Sequence, residues 1–494
     1  MGEVMSERAS VLIVGAGLAG LGSAMFLARR GVDVLLVERR SGTSPFPRAV
    51  GQNQRTMELL GFAGVAGDVP TTEHGEFRVR VAATLPGPTF HEVISETDTG
   101  LGALSPALPG TAGQDEMEPL LRRRAEEFGA TLRFDTELVS FSQDNDGVTA
   151  VISGPDGRSE VRADYLVAAD GARSGVREAL GIERHGAGKL GQNVSIVFDA
   201  DLSDVVEPAP PTLHVLHNPD ANGVFITIDG DRHLFSVNAE KLDDDQCVEL
   251  IRLITERPSL APRIVAVMPW EMAAEVADRL RVGRVLLAGD AAKVTPPSGG
   301  FGGNTAIGDA YDLAWKLAAV LDSTAGPGLL DSYDAERRPI AERVVAEALR
   351  LAANRGVTEE VSEAQRAVEL TLGFRYRSWA VVAEDDDPLD AEDPYRPSGR
   401  PGFRAPHVEL DGKSIVDLFG DGFVLLTGKD GLCWTDTGLP THVIDSDEFL
   451  ARYGIGPSGA SLVRPDGVVA WRIVDAPSDP AQALLDVLTS VLAR

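Results

Sequence analysis

Residues 9–40, ASVLIVGAGLAGLGSAMFLARRGVDVLLVERR, decide the fold of this chain. The stretch is typical of a strand, a tight turn, a helix and a second strand. Residues 11–14 form a continuous apolar run, which predicts a parallel strand buried on both faces. A second apolar run at 34–37 predicts the neighbouring strand. Two parallel strands joined by a helix indicate a Rossmann-like α/β sheet.

The turn between strand and helix carries the pattern G-x-G-x-x-G at Gly15, Gly17 and Gly20. The first glycine permits the turn, the second lets the backbone approach a pyrophosphate, and the third lets helix and strand pack closely. The helix N-terminus offers unpaired N–H groups to phosphates. Glu38, which closes the second strand, suits a ribose hydroxyl and disfavours a 2′-phosphate. The motif therefore predicts FAD or NAD and leaves the choice open.

Two later stretches repeat the pattern of an apolar strand that ends in a carboxylate. YLVAADGARSGVREALGI (165–182) ends its strand at Asp170, and RVLLAGDAAKVTPPSGGFGGNTAIGDAYDLAWKLAAV (284–320) ends its strand at Asp290. Ligands of parallel sheets bind outside the carboxyl ends of the strands. The glycine-rich segment after Asp290 exposes backbone without side-chain bulk, and an amphipathic pattern predicts a helix that begins near Asn304.

With these three motifs in this order, the chain resembles the class A flavoprotein monooxygenases, which are single-component aromatic hydroxylases. Further segments are similar to the anthracycline-type branch of the bacterial aromatic polyketide hydroxylases: FPRAVGQNQRTMELLGFAGVAG (46–67), GQDEMEPLL (113–121), WEMAAEVADRL (270–280), LTLGFRYRSWAVV (370–382) and GASLVRPDGVVAWR (459–472). The resemblance implies bound FAD, reduction by NADPH with NADH as the alternative, and O2 and an aromatic small molecule as the other reactants.

The resemblance also implies an α/β fold with three parts: a Rossmann-like FAD-binding domain, an inserted antiparallel-sheet substrate domain as in p-hydroxybenzoate hydroxylase, and a C-terminal thioredoxin-like domain. Alternating apolar residues at 194–198, 213–216 and 224–228 independently predict a largely antiparallel sheet. The predicted FAD-binding segments are 1–75, 110–182 and 280–400, the substrate-binding segments are 76–109 and 183–279, and the thioredoxin-like domain covers 401–494. With Cys433 alone and no C-x-x-C, that last domain is expected to pack or to stabilise a dimer rather than to perform dithiol chemistry.

By resemblance, Arg48 and Gln114 contact the FAD phosphates and ribityl chain, and Asp290 binds the ribityl hydroxyls. The helix near Asn304 points its positive end at the flavin N1 and C2 carbonyl, where negative charge develops on reduction. The predicted cofactor-binding residues are Gly15, Gly17, Gly20, Glu38, Arg39, Arg48, Gln114, Asp170, Gly289, Asp290, Pro297, Gly300, Gly303 and Asn304. Lys293 and Asp312 replace a His and an Asn of the wider family, and Lys293 could equally be a solvated side chain.

Four residues are candidates for contact with the substrate. Arg355 ends a long helix that, by resemblance, brings an arginine towards the substrate, where a guanidinium would stabilise a phenolate. The alternative is an arginine that complements the helix dipole. Arg375 and Arg377 are candidates for substrate contact or for structural ion pairs. His214 is a candidate base or a wall residue, in a strand where the anthracycline-type relatives carry aromatic residues, so a different substrate from theirs is expected.

Composition excludes several classes of partner. The chain has 75 acidic and 46 basic residues and a net charge of −29, which disfavours nucleic acids and anionic membranes. Only Cys247 and Cys433 occur, so no disulfide framework or cysteine metal site is predicted. No apolar run is long enough to span a membrane. These features predict a cytoplasmic monomer or homodimer without a metal.

The resulting hypothesis is an FAD-dependent, NAD(P)H-consuming monooxygenase that hydroxylates a polycyclic aromatic polyketide or related phenolic in antibiotic biosynthesis. Baeyer–Villiger oxidation and epoxidation on the same fold are the alternatives within the class. An alternative of another class is a flavin-binding protein that sequesters a reactive intermediate without turnover. An NAD-dependent dehydrogenase is disfavoured by the full set of three motifs.

Overall fold

A computed structural model describes residues 7–47, 50–71, 77–95, 101–207, 212–354, 360–384 and 388–494. The strands are β1 (Glu7–Val14), β2 (Val34–Val37), β3 (Phe77–Ala82), β4 (Thr89–Ser95), β5 (Thr131–Arg133), β6 (Glu137–Gln143), β7 (Val148–Gly154), β8 (Gly157–Ala168), β9 (Arg184–Asp199), β10 (Thr212–Leu216), β11 (Gly223–Asp229), β12 (Arg232–Asn238), β13 (Arg263–Ala277), β14 (Arg281–Val282), β15 (Val285–Leu287), β16 (Lys293–Val294), β17 (Glu409–Leu410), β18 (Lys413–Ser414), β19 (Val424–Gly428), β20 (Thr441–Ile444), β21 (Ala460–Val463) and β22 (Val469–Ile473).

The helices are α1 (Leu18–Arg29), α2 (Gln54–Phe62), α3 (Gln114–Glu127), α4 (Gly175–Ala179), α5 (Asp244–Thr255), α6 (Phe301–Leu321), α7 (Asp331–Asn354), α8 (Glu360–Leu372), α9 (Asp447–Tyr453) and α10 (Pro480–Val491). Short 3-10 helices lie at Ala66–Asp68, Leu101–Ala103, Gly289–Ala291, Pro327–Leu330, Ile415–Leu418 and Leu432–Trp434. No helix within the described ranges is long and apolar enough to cross a bilayer.

The first sheet has the order β14-β15-β8-β1-β2-β5, with β7 on β8 and β6 on β7. Strand β1 is parallel to β2 and β8, and β15 is parallel to β8. Strands β2 and β15 are buried along their whole length, as their uninterrupted apolar sequences require. Because the strands are parallel, Gly15, Asp170 and Gly289 come together at one edge, directly after β1, β8 and β15. The predicted Rossmann-like arrangement is confirmed.

The second sheet has the order β16-β13-β9-β12-β11-β10-β3-β4. Its neighbours are antiparallel except for β3 and β10, so the prediction of a largely antiparallel sheet is confirmed. Helix α5 covers one face, where an apolar cluster contains Phe198, Phe225, Phe235, Cys247 and Ile251. The opposite face, which we call the open face, carries the alternate residues of each strand, and most of those side chains are only half-buried. A strip of side chains on this face is therefore available to a ligand.

The C-terminal sheet has the order β20-β19-β21-β22, in which β19 is parallel to β20 and antiparallel to β21. This order and these directions are those of a thioredoxin-like core, with α9 and α10 beside it. Cys433 is exposed and lies in the 3-10 helix that follows β19. The Tyr311 hydroxyl of α6 contacts the carbonyls of Gly420 and Pro465 and so attaches this sheet to the first domain.

Candidate active site

The glycine turn after β1 fits a bound pyrophosphate. Gly15 has a φ of +102°, and a Cβ there would lie 2.3 Å from the Ala169 carbonyl oxygen. A Cβ on Gly20 would lie 1.9 Å from the Gly15 carbonyl oxygen. At Gly17, by contrast, the nearest atom to a Cβ is Glu118 Oε1 at 3.9 Å, so the space above the turn is open. Helix α1 has no side-chain cap at its start, which leaves its first N–H groups for an anion.

Glu38 fixes the far side of this turn. Its Oε2 accepts a hydrogen bond from the Ala16 N–H at 2.8 Å, and its Oε1 accepts one from the Arg40 N–H at 2.9 Å. Each carboxylate oxygen has a further lone pair that can accept from a ribose hydroxyl. Arg39 is exposed beside it. The placement fits the predicted role of Glu38.

Asp170 supplies an unsatisfied acceptor at the same sheet edge. Its Oδ2 accepts from the Val176 N–H at 3.2 Å, whereas its Oδ1 is buried and has no hydrogen-bond partner among the described residues. Because a buried unsatisfied polar atom is costly, a donor from a ligand or water is expected there. The polar edge therefore fits a polyhydroxyl cofactor such as FAD.

Arg184, which the sequence did not single out, connects the second and third motifs. Its Nη2 donates to the Ala172 carbonyl at 2.8 Å and to the Asp290 carbonyl at 3.0 Å. Asp290 itself is exposed at this edge. A lone arginine between motifs offers no sequence signal for such a contact.

Lys293 is buried, so the solvated alternative for this side chain is wrong. It is 2% exposed, and its Nζ donates to Asp309 at 2.6 Å. Asp309 also accepts from Arg337 Nε at 2.9 Å and from the Gly289 N–H at 3.2 Å. Although burial raises it, the two cations hold the pKa of Asp309 below its ordinary value. This ion triad therefore holds Gly289 and Lys293 against α6 and α7.

Helix α6 begins at Phe301, three residues before the expected start, because Gly300 already serves as its N-cap with a φ of +63°. Pro297 is exposed in the preceding loop, and Gly303 lies in the first helical turn. The helix N-terminus follows the third motif directly, as the flavin hypothesis requires.

Asn304 attaches a neighbouring segment to this helix start. Its Oδ1 accepts from the Asn53 N–H at 2.9 Å and from the Thr56 hydroxyl at 2.7 Å. Gln114 begins α3 and donates to Glu118 at 2.6 Å. Arg48 and the predicted catalytic Arg355 lie outside the described residues, and their roles remain predictions.

His214 lies on the sheet face that α5 covers. It is 5% exposed, its ring packs edge-on against Phe225 at 5.7 Å, and neither ring nitrogen has a hydrogen-bond partner in the described part of the chain. Burial, with a smaller effect of Arg80 and Arg78, lowers its pKa to about 4. A weakly basic imidazole on the covered face favours the wall role over the role of catalytic base.

Arg375 and Arg377 both bind the chain near residues 389–390. Arg375 is buried, donates to the carbonyls of Pro401 and Leu389, and stacks over Phe403. Arg377 is exposed and donates to Asp390 Oδ1 at 2.6 Å. These contacts favour the structural role that the sequence left open beside substrate contact.

A buried charge cluster joins α6, α7 and the C-terminal domain. Arg464 is fully buried and contacts Glu336 at 2.6 Å, Asp466 at 2.6 Å and Asp312 at 3.3 Å. Lys316 contacts Asp312 at 2.8 Å and Glu336 at 2.6 Å. We call these five residues the Arg464 cluster. It holds three carboxylates against two cations, which favours retention of one proton. A cavity of about 50 Å³ adjoins it, between α6, α7 and α8.

Asp312→Asn is expected to flatten the pH dependence of stability. Burial, together with Glu336, raises the pKa of Asp312 to about 7 from an ordinary value of 3.8, against the effect of Lys316. The folded state therefore holds a proton that the unfolded state releases, and this contribution is lost as pH rises from about 4 to 7. Denaturant titrations across this range should show the wild type losing stability relative to the amide variant. A constant difference would contradict the assignment.

Comparison with known proteins identifies the family. Residues 8–348 match the FAD binding domain family, and residues 398–494 match the aromatic-ring hydroxylase C-terminal family. The chain is an FAD-dependent aromatic-ring hydroxylase. This hydroxylase is 48% identical over 532 residues to aklavinone 12-hydroxylase RdmE of Streptomyces purpurascens, with 99% of each chain covered. It is 40% identical over 551 residues to the tetracenomycin A2 monooxygenase-dioxygenase of Streptomyces glaucescens, with 99% of this chain and 98% of the relative covered.

The solved structure of aklavinone-11 hydroxylase in a ternary complex with FAD and aklavinone is similar to the hydroxylase over 100% of both chains. The TM-score is 0.92 and the sequence identity is 47%. The similarity extends through the C-terminal domain, which confirms the predicted family and fold. No group of three metal-binding side chains occurs within the described residues.

Proposed function

We propose that the hydroxylase oxidises a polycyclic aromatic polyketide or a related phenolic in a cytoplasmic biosynthetic pathway, with NADPH as reductant and NADH as the alternative. The observation that carries this proposal is the combination of the three-motif sheet edge with full-length similarity to polyketide hydroxylases. When bound, FAD would supply the hydride acceptor and the activation of O2. A monomer or homodimer, and the domain boundaries predicted from the sequence, are part of the same proposal.

The described residues support cofactor placement in four ways. The turn at Gly15 and the open N-terminus of α1 suit the pyrophosphate, and Glu38 suits the ribose. Asp170 offers the unsatisfied Oδ1 to a donor. The N-terminus of α6 would stabilise negative charge on the reduced ring, by about 0.3–1 kcal/mol or more when partly buried.

The open face of the second sheet is the proposed floor of the substrate site. It carries the half-buried Leu213, Val215, Val224 and Ile226, on the side opposite to α5. An apolar surface between two domains is a usual site for a small aromatic ligand. Arg355 is our proposed stabiliser of the substrate phenolate.

Anaerobic mixing of the FAD-bound enzyme with NADPH or NADH tests the proposal. We expect flavin reduction to accelerate when a polycyclic phenol is present, and a hydroxylated product to form on addition of O2. A lactone product would favour Baeyer–Villiger oxidation, and an epoxide would favour epoxidation. If FAD binds but stays oxidised with both nicotinamides and every phenol, the sequestering flavoprotein becomes the better account.

A further inference from the structure

One row of side chains crosses the open face and changes from apolar to polar. The strand registers align Val81 with Val215, Val215 with Val224, and Val224 with Ser236. Ser236 is in turn aligned with Ser195. Val81 is only 5% exposed, so the apolar strip open to a ligand consists of the half-buried Val215 and Val224, on strands about 4.8 Å apart, and it ends at the Ser236 hydroxyl. The strip suits a flat fused-ring system with a polar atom at one rim.

The two serines continue into a hydrogen-bond chain with Trp270. The Trp270 Nε1–H donates to Ser195 Oγ at 2.9 Å, and Ser195 Oγ donates to Ser236 Oγ at 3.2 Å. All three residues are half-buried and lie on the open face. We call them the Trp270 chain. The indole N–H can only donate, which fixes one end of the chain.

The Trp270 chain lacks an acceptor for one of its protons. It contains three polar protons, one on the indole and one on each hydroxyl, and two hydrogen bonds between its members. One proton is therefore left for an acceptor outside the trio, whichever way the hydroxyls rotate. When Ser195 donates to Ser236, as their separation allows, that proton belongs to Ser236, next to the valine strip. In that arrangement the Trp270 chain presents a neutral donor to a ligand on the strip.

We propose that the Ser236 hydroxyl donates to a ring carbonyl oxygen of a fused-ring substrate, such as a quinone or ring ketone, and that Ser195 and Trp270 position it. The inference rests on the proposed function, since it assumes a flat aromatic ligand on the open face. A neutral hydroxyl suits a neutral carbonyl acceptor, whereas a phenolate is better served by a cation. By fixing one carbonyl, the chain selects the edge of the ring system that faces the flavin and so contributes to the choice of ring position.

The test uses the FAD-bound enzyme with two probes, 1-hydroxyanthraquinone and 1-hydroxyanthracene, which share the ring system and the phenol but differ in the ring carbonyls. Binding is followed by the change in flavin absorbance. Ser236→Ala is expected to weaken binding of the quinone about 3- to 10-fold, the effect of one neutral hydrogen bond, and to leave binding of the anthracene unchanged. Ser236→Thr, which keeps the hydroxyl, should bind both probes as the wild type does.

A double-variant cycle separates positioning from structural damage. Trp270→Phe alone should weaken quinone binding about 2- to 3-fold, but should add nothing when Ser236 is already alanine, because Trp270 acts on the quinone only by positioning the Ser236 hydroxyl. Thr227→Val is the matched control, since this hydroxyl is in the same sheet but contacts His233 on the covered face. It is expected to leave binding of both probes unchanged.

The outcomes distinguish two failures. Quinone binding that is unaffected by Ser236→Ala, or an equal loss for both probes, overturns the role of the Trp270 chain while the monooxygenase proposal stands. A wild-type enzyme that binds FAD but neither fused-ring probe overturns the proposed substrate class, and this inference with it.

Discussion

Replacing Arg464 with methionine is expected to lower the free energy of unfolding by about 3–5 kcal/mol, the usual effect of removing one partner from a buried ion pair. Arg464 is fully buried, and its removal leaves Glu336, Asp466 and Asp312 with Lys316 as the remaining cation of the cluster. Because Arg464 belongs to the C-terminal domain and Glu336 to α7, the same change should loosen the attachment of that domain.

Lys429→Met is the matched control for this prediction. Lys429 is in the same domain and loses the same charge, but its pair with Asp445 is 3.9 Å long and exposed. Such pairs contribute about 0–1 kcal/mol. Denaturant unfolding and limited proteolysis should separate the two variants clearly. Equal stabilities would show that the Arg464 cluster does not hold the domains together.

Replacing Gly15 with alanine is expected to weaken FAD binding by about 100-fold or more. The added Cβ would approach the Ala169 carbonyl oxygen to 2.3 Å in a backbone conformation with a φ of +102°. If the turn moves to relieve a strain of about 3 kcal/mol, the FAD affinity falls by about 100-fold. The purified variant should lack flavin absorbance, and titration with FAD measures the residual affinity.

Gly31→Ala is the control for backbone strain. Gly31 also has a positive φ, +77°, but a Cβ there would meet nothing within 4 Å. The Gly31→Ala variant should have a somewhat lower free energy of unfolding and an unchanged affinity for FAD. If both variants bind FAD like the wild type, the glycine turn is not the pyrophosphate site.

The parts of the fold that sequence could predict are governed by local rules. The turn at Gly15 and the apolar strands around it specify their own conformation, because only glycine tolerates the backbone and the contacts there. The alternating residues at 194–198 and 224–228 likewise predicted an antiparallel sheet, which the structure contains. Local sequence also predicted the helix after the third motif, to within three residues of its start.

The parts that sequence could not predict depend on distant partners. Arg464 is 128 residues from Glu336 and 152 from Asp312, so no spacing indicates the cluster. For the same reason the sequence left open whether Lys293 is solvated, because its partner Asp309 lies on a different element. For His214, strand periodicity shows that alternate residues share a face, but not which face α5 covers.

The most direct test of the central claim is a turnover experiment under ¹⁸O2 with NADPH, using 1-hydroxyanthraquinone and a panel of other polycyclic phenols in turn. We expect one ¹⁸O atom in the product of at least one of them, with NADPH consumed in proportion to product. Oxygen that comes from water, or oxidation of NADPH to hydrogen peroxide without an oxygenated product from any of these compounds, would contradict the claim.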